Sequence, residues 1–141
     1  MRVAALDTTT RAGSIAIVEN DRVVAERRGD PALSTAERLP RELLELLAAH
    51  GWTTASVDLF AVAAGPGSFT GLRVGIATIQ GLAFVHRRPV AAVSALDAIA
   101  QLAAAPLAEG SLVGVWMDAQ RRDVYSALYR VAAKPWCPEI F

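Results

Sequence analysis

The run Gly65-Pro66-Gly67-Ser68-Phe69-Thr70-Gly71-Leu72-Arg73-Val74-Gly75 decides how this chain is read. Before it, Leu59 to Ala64 is a continuous apolar segment of buried-strand length; after it, Leu72 to His86 has the length and composition of a helix. A glycine loop between strand and helix suggests a phosphate site, because free amides at a helix N-terminus attract anions. The spacing argues against the familiar versions. A dinucleotide fingerprint starting at Gly65 and Gly67 would need its third glycine at Thr70. A Walker loop ends in Gly-Lys, and the sole lysine of this chain is Lys134.

The helix that follows is more informative. From Val74 to Val85 only Thr78 and Gln80 carry polar side chains. A helix apolar on every side is expected to be covered on every side, and one sheet can cover only one of them. Gly71 and Gly75 are one turn apart, Thr78 and Leu82 prolong their line, and glycines at this spacing admit a second helix closely. The first helix and the final hairpin of the same chain are one possible cover. The expectation carried forward is a helix-to-helix interface with another chain.

Arg2–Leu6, Ser14–Val18 and Arg22–Arg28 are three β-like runs separated by Asp7-Thr8-Thr9-Thr10 and by Glu19-Asn20-Asp21, which predicts an antiparallel meander. Ser34 and Glu37 have capping-box spacing, and Leu39, Leu43, Leu46 and Leu47 follow at helical intervals up to Gly51. Pro40 predicts either a kink or a helix start at that point. Past the second helix come a strand from Pro89 to Val93, a helix capped by Ser94 with Asp97 and running to about Ala105, and two strands, Leu112–Met117 and Val124–Val131. Meander, then helix, strand, helix, strand, predicts an α/β, ribonuclease-H-like lobe: a mixed five-stranded sheet with flanking helices. Residues 1–108 form this lobe in the expected division. Residues 109–141 form an incomplete second lobe, a hairpin followed by a tail containing Lys134-Pro135-Trp136-Cys137-Pro138.

With 141 residues the chain is long enough to bury roughly 68–70% of its unfolded surface. Fourteen basic and 14 acidic side chains cancel, and the pairs Arg27-Arg28, Arg87-Arg88 and Arg121-Arg122 are dispersed, so tight nucleic-acid binding by this chain alone is not expected. The single cysteine, Cys137, excludes an internal disulfide or a zinc cluster. Turn or charged residues interrupt each hydrophobic stretch, which predicts a cytoplasmic protein without a signal peptide or membrane span.

The chemistry-bearing residues are sparse. Asp7 stands where a ribonuclease-H-like nuclease keeps its first metal carboxylate, but Asp58 lies at the far end of the fourth strand and the rest of a metal site is missing. Asp7 bonding the backbone of its own turn is the simpler reading. His50 and His86 both sit at helix ends, suited to the negative end of the dipole. Gly67-Ser68-Phe69 lacks the flanks of a nucleophile elbow. No catalytic residue, metal site or cofactor is assigned. A small-molecule kinase or ATPase, using the Asp7–Thr10 turn around a phosphate, is the alternative enzyme reading.

Taken together, Gly65–Arg73 with Gly75, the opening Ala5-Leu6-Asp7-Thr8-Thr9-Thr10, Glu37-Arg38-Leu39-Pro40, Pro89 with Val93-Ser94-Ala95-Leu96, and Met117-Asp118-Ala119-Gln120-Arg121 with Val124-Tyr125 resemble the TsaB (YeaZ) family. The resemblance implies an actin-like, two-lobed fold whose members have lost nucleotide chemistry. It implies a non-catalytic partner of the related subunit TsaD, which, supported by the ATPase TsaE, transfers a threonylcarbamoyl group to the adenosine beside the tRNA anticodon. Pairing is implied through the first two helices, here Ser34–His50 and Leu72–His86, with a homodimer on the same face when TsaD is absent and tRNA reached only through the complex. Gly71, Arg73, Val74, Gly75, Thr78, Leu82, Leu39 and Leu43 are the interface residues expected on these grounds. Gly65, Pro66, Gly67, Ser68, Phe69 and Thr70 form the signature loop, and Asp7, Thr8 and Thr9 a vestigial phosphate turn. Two departures stand out: Leu33-Ser34-Thr35 replaces a histidine that members often carry before the first helix, and members continue into a complete second lobe.

Overall fold

A computed structural model describes residues 1–30, 35–120 and 122–132, with the side chains of 35–37 and 120 left aside. The capping residue Ser34, the position of the family's histidine, and Cys137 with its neighbours lie outside the described residues. Seven strands and three α-helices follow in order: β1 (Arg2–Asp7), β2 (Ser14–Glu19), β3 (Arg22–Arg28), α1 (Thr35–Ala49), β4 (Leu59–Gly65), α2 (Phe69–His86), β5 (Val90–Ser94), α3 (Ala95–Ala104), β6 (Leu112–Gln120) and β7 (Asp123–Arg130). A short 3₁₀ turn at Thr54–Ser56, not foreseen in the sequence, precedes β4.

The first five strands form one sheet in the order β3-β2-β1-β4-β5. The β1–β2 and β2–β3 pairs are antiparallel, whereas β4 runs parallel to both β1 and β5. This is the mixed ribonuclease-H-like sheet expected. Short turns close the meander with little loop to order, while the two parallel steps need crossovers, supplied by α1 and α2. The helix α1 runs through Pro40 without stopping. Pro40 is the sixth helical residue, so its missing amide removes a single bond near the first turn.

Ala4 and Leu6 from β1, Ile15 and Ile17 from β2, and Phe60 and Val62 from β4 alternate onto one face. Leu39, Leu43, Leu46 and Leu47 of α1 and Ile79 and Ala83 of α2 close over them, with Trp52 and Val57 at the rim. Enclosing a side chain such as Leu43 or Phe60, both wholly buried, is worth about 1.5–3 kcal/mol each.

A second core lies elsewhere. Leu96, Ala100 and Ala104 on one stripe of α3 pack with Val113 and Val115 of β6 and with Tyr129 and Val131 of the β7 side. β6 and β7 make a separate two-stranded antiparallel sheet, and β6 continues past Met117 to Gln120 across a register shift. The expected boundary at 108/109 falls between α3 and this hairpin, yet α3 puts its buried stripe on the hairpin's side of that boundary.

Candidate functional site

The glycine loop is held by the turn after β1. Asp7 Oδ1 accepts from the Thr9 amide at 2.8 Å and the Thr9 hydroxyl at 2.7 Å, so the carboxylate is engaged in its own turn. Thr9 O then accepts from the Ser68 amide at 2.8 Å, tying the loop to β1. The Gly65–Pro66 peptide is cis. At Gly67 a side chain has no room: a Cβ would stand 2.5 Å from Thr9 Cβ and 2.6 Å from Thr9 O. Ser68 is the N-cap of α2, its hydroxyl accepting from the Gly71 amide at 3.3 Å. Phe69 begins the helix, three residues before the expected start, and is 73% exposed with the Arg73 guanidinium 5.3 Å from its ring centre.

The glycine line of α2 faces inward. A Cβ on Gly71 would overlap the Thr8 carbonyl oxygen, and one on Gly75 would overlap Thr8 Oγ1 and lie 2.9 Å from its Cγ2. Thr8 is wholly buried, and among the described residues its hydroxyl has no hydrogen-bond partner. The two glycines thus let β1 and α2 touch inside this chain, which corrects their assignment to a surface between chains. Leu39 and Leu43, expected at the same interface, are 1% and 0% exposed in the main core and have no surface to offer a partner. Val74, Thr78 and Leu82 are half-buried, and Arg73 is exposed.

Among the described residues, this chain covers only one side of α2. Only Gly75, Ile79 and Ala83 are buried. The opposite side presents Arg73, Ala77, Gly81 and Phe84, with Val85 beside them. Phe84 is 84% exposed and Val85 72%. At the C-terminal end a groove of about 720 Å³ opens between Phe84, Val85 and Val90, edged by Arg87 and Arg88. Sequence reading missed these residues. A helix with apolar residues on every side carries no amphipathic signal to say which side turns outward.

A larger cleft of about 870 Å³ separates the loop and the α2 N-terminus from α3 and the hairpin. Thr9, Ser68 and Thr70 line one wall, Ile99, Met117 and Tyr125 the other. Thr9 is the member of the phosphate-like turn that reaches it; Thr8 wedges against α2 instead. Across the second core, Tyr129 donates to Asp97 Oδ1 at 2.6 Å, and burial followed by that carboxylate pushes the phenol up to about 12. His50 Nδ1 lies 2.9 Å from Leu46 O and His86 occupies the last turn of α2, the helix-end places expected of both. Among the described residues no cluster of His, Cys, Asp or Glu could hold a metal ion, and no helix is long and apolar enough to cross a membrane.

The sheet order, the glycine loop seated on the β1 turn and the cleft beside it define an actin-like, ribonuclease-H-like α/β protein. The family model described as TsaD, tRNA N6-adenosine threonylcarbamoyltransferase, matches residues 32–136. The chain belongs to this family, on its TsaB (YeaZ) side. It is 35% identical over 130 residues to the tRNA threonylcarbamoyladenosine biosynthesis protein TsaB of Escherichia coli, covering 92% of this chain and 55% of that one. An uncharacterised protein of Mycobacterium tuberculosis is 39% identical over 132 residues, covering 90% of this chain and 58% of that one. The solved structure of YeaZ from Pseudomonas aeruginosa superposes with a TM-score of 0.83 at 34% identity, covering 99% of this chain and 63% of that one. The chain thus spans a little over half the length of these curated relatives.

Proposed function

We propose that this chain is a non-catalytic accessory subunit for threonylcarbamoyladenosine formation on tRNA, acting by pairing with a TsaD-type catalytic subunit. The observation that carries this is the bare outer face of α2, where Phe84 and Val85 stand in solvent on a helix with no charge between Arg73 and His86. Exposed apolar surface of this kind marks contact with another molecule. Support comes also from the loop, where Asp7 Oδ1 accepts from the Thr9 amide and hydroxyl and the Ser68 hydroxyl caps α2. In this reading Arg73, Val74, Thr78 and Leu82 belong to the docking surface or its margin, and Phe84, Val85 and Ala77 are added to it. The TsaE-type ATPase and tRNA are reached through the assembled complex in the cytoplasm, and self-association through α2 is the weaker competitor for the same face.

Co-purification with the TsaD-type protein of the same genome tests this. Phe84→Asp is expected to abolish pairing while circular dichroism shows an unchanged fold. Pairing that survives in the variant would place the contact elsewhere.

A second reading, a nucleotide-binding kinase or ATPase of the actin-like group, is favoured by the cleft between Thr9, Ser68 and Tyr125. Calorimetry with ATP and magnesium separates the two. Micromolar binding accompanied by slow hydrolysis would favour the enzyme.

A further inference from the structure

One buried ionic group stands apart from both the α2 face and the cleft. Arg38 lies on α1 next to the core residue Leu39, and its side chain is only 9% exposed. A guanidinium taken out of water is costly unless its N–H groups find acceptors. Nη1 donates to Glu42 Oε2 at 2.6 Å, one turn further along α1. Nη2 donates to the Ala12 carbonyl at 2.5 Å, 26 residues back in the turn between β1 and β2. Nε has no partner among the described residues, so two bonds and the local fit hold the group. The fit involves Gly29, just past β3. A Cβ on Gly29 would overlap both Nη atoms and the Ala12 oxygen, so the guanidinium fills the space of that missing side chain. The Gly29 amide also donates to Gly13 O at 3.0 Å. Arg38 thus occupies the junction of α1, the β1–β2 turn and the end of β3.

The turn it grips leads on to the glycine loop. Thr10 Oγ1 accepts from the Gly13 amide at 3.3 Å, and Asp7 Oδ1 holds Thr9. Thr9 O accepts from the Ser68 amide at 2.8 Å, Gly67 packs on Thr9, and Gly71 rests on the Thr8 carbonyl. The same turn gives Thr9, Thr10 and Arg11 to the wall of the cleft, which Arg38 itself does not line. We propose that Arg38 is a positioning residue: anchored on α1, it sets the β1–β2 turn, and through that turn the glycine loop and the first turn of α2. A segment held by few hydrogen bonds opens locally at far less cost than the whole fold. One charge-assisted bond therefore governs how often this turn opens. Lysine is a poor substitute, because its ammonium lacks the planar fork that reaches Glu42 and Ala12 together. Arg41 and Glu45, 2.7 Å apart on the solvent side of the same helix, supply the contrast.

Hydrogen exchange of single amides, followed by NMR on the intact chain, tests this. Arg38→Met keeps the aliphatic stem and removes both bonds. The Gly13 and Ser68 amides are expected to exchange about 10- to 100-fold faster, by the same factor. Their rates should be unchanged by urea up to about 1 M, the mark of a local opening. Arg38→Lys, able to reach one acceptor at a time, is the milder variant should the first fail to fold. It should accelerate the same two amides about 3- to 10-fold. Arg41→Met should alter neither. Acceleration of Gly13 with Ser68 unchanged overturns the link from turn to loop. Acceleration of Ser68 that follows urea as global unfolding does, or that Arg41→Met reproduces, overturns the positioning role.

Discussion

The two sides of α2 make opposite use of small and apolar residues. On the inner side Gly71 and Gly75 remove side chains so that Thr8 can lie against the helix backbone. On the outer side Ala77 and Gly81 lie level with the surface, a Cβ on Gly81 would meet nothing, and Phe84 projects into solvent. Glycine on a helix is therefore ambiguous by itself. At Gly75 it is the mark of contact within the chain; at Gly81 it leaves space that none of the described residues fills. The same substitution should have very different consequences on the two sides.

The largest expected effect is at the crowded side and in the core it closes. Gly75→Leu should prevent stable folding, since a branched side chain would have to enter the volume of Thr8. Thermal unfolding by circular dichroism reads this directly, and a folded, native-like variant would show that the helix can stand off from β1. Leu43→Ala, in the core beneath the same helices, should cost about 2–5 kcal/mol in urea titration. Gly75→Ala is the sharper probe, expected to cost about 1–3 kcal/mol. Combining it with Thr8→Ala should restore at least half the loss, because the overlapping hydroxyl is gone and that hydroxyl makes no hydrogen bond among the described residues. Strict additivity of the two would argue against direct contact.

In the second core, Tyr129→Phe should cost about 1 kcal/mol through loss of the bond to Asp97. Its pH dependence has a definite sign. The folded phenol titrates near 12, above its ordinary value of 10, so its contribution is complete below pH 10 and declines as pH rises through 12. The gap between wild type and Tyr129→Phe should close over that window and then reverse, since two pKa units correspond to about 2.7 kcal/mol. The smallest effect on stability is predicted at the bare side: Phe84→Ser should shift unfolding by less than about 0.5 kcal/mol while weakening partner pairing.

Much of the lobe was legible in the sequence because its signals are local. Turn residues bracket β1, β2 and β3; the Ser94–Asp97 cap and the Ser68 loop announce helices; the strand–helix alternation leaves few topologies. The errors share one cause. Period and composition say how apolar a helix is, but a helix such as α2 with no polar side carries no phase. Its phase is set by Thr8, far away in sequence, whose position depends on the β1 turn. Leu39 and Leu43 had a clear core-facing pattern, and the family likeness drew them toward the interface against it. The cleft was unreadable for a different reason. Its walls, Ser68 and Tyr125, are brought together only once α3 has set the hairpin against the first lobe.

The allegiance of α3 has a consequence for the order in which the molecule is built. The five-stranded sheet has every strand in hand once Ser94 has been synthesised, and the helices that close its main core already lie behind that point. Helix α3 comes next, but the side chains that shelter Leu96, Ala100 and Ala104 belong to residues from Val113 to Val131. A chain emerging from the ribosome therefore carries a finished first lobe with a greasy helix hanging from its last strand. The apolar stripe of that helix has no cover from its own second core until Tyr129 follows.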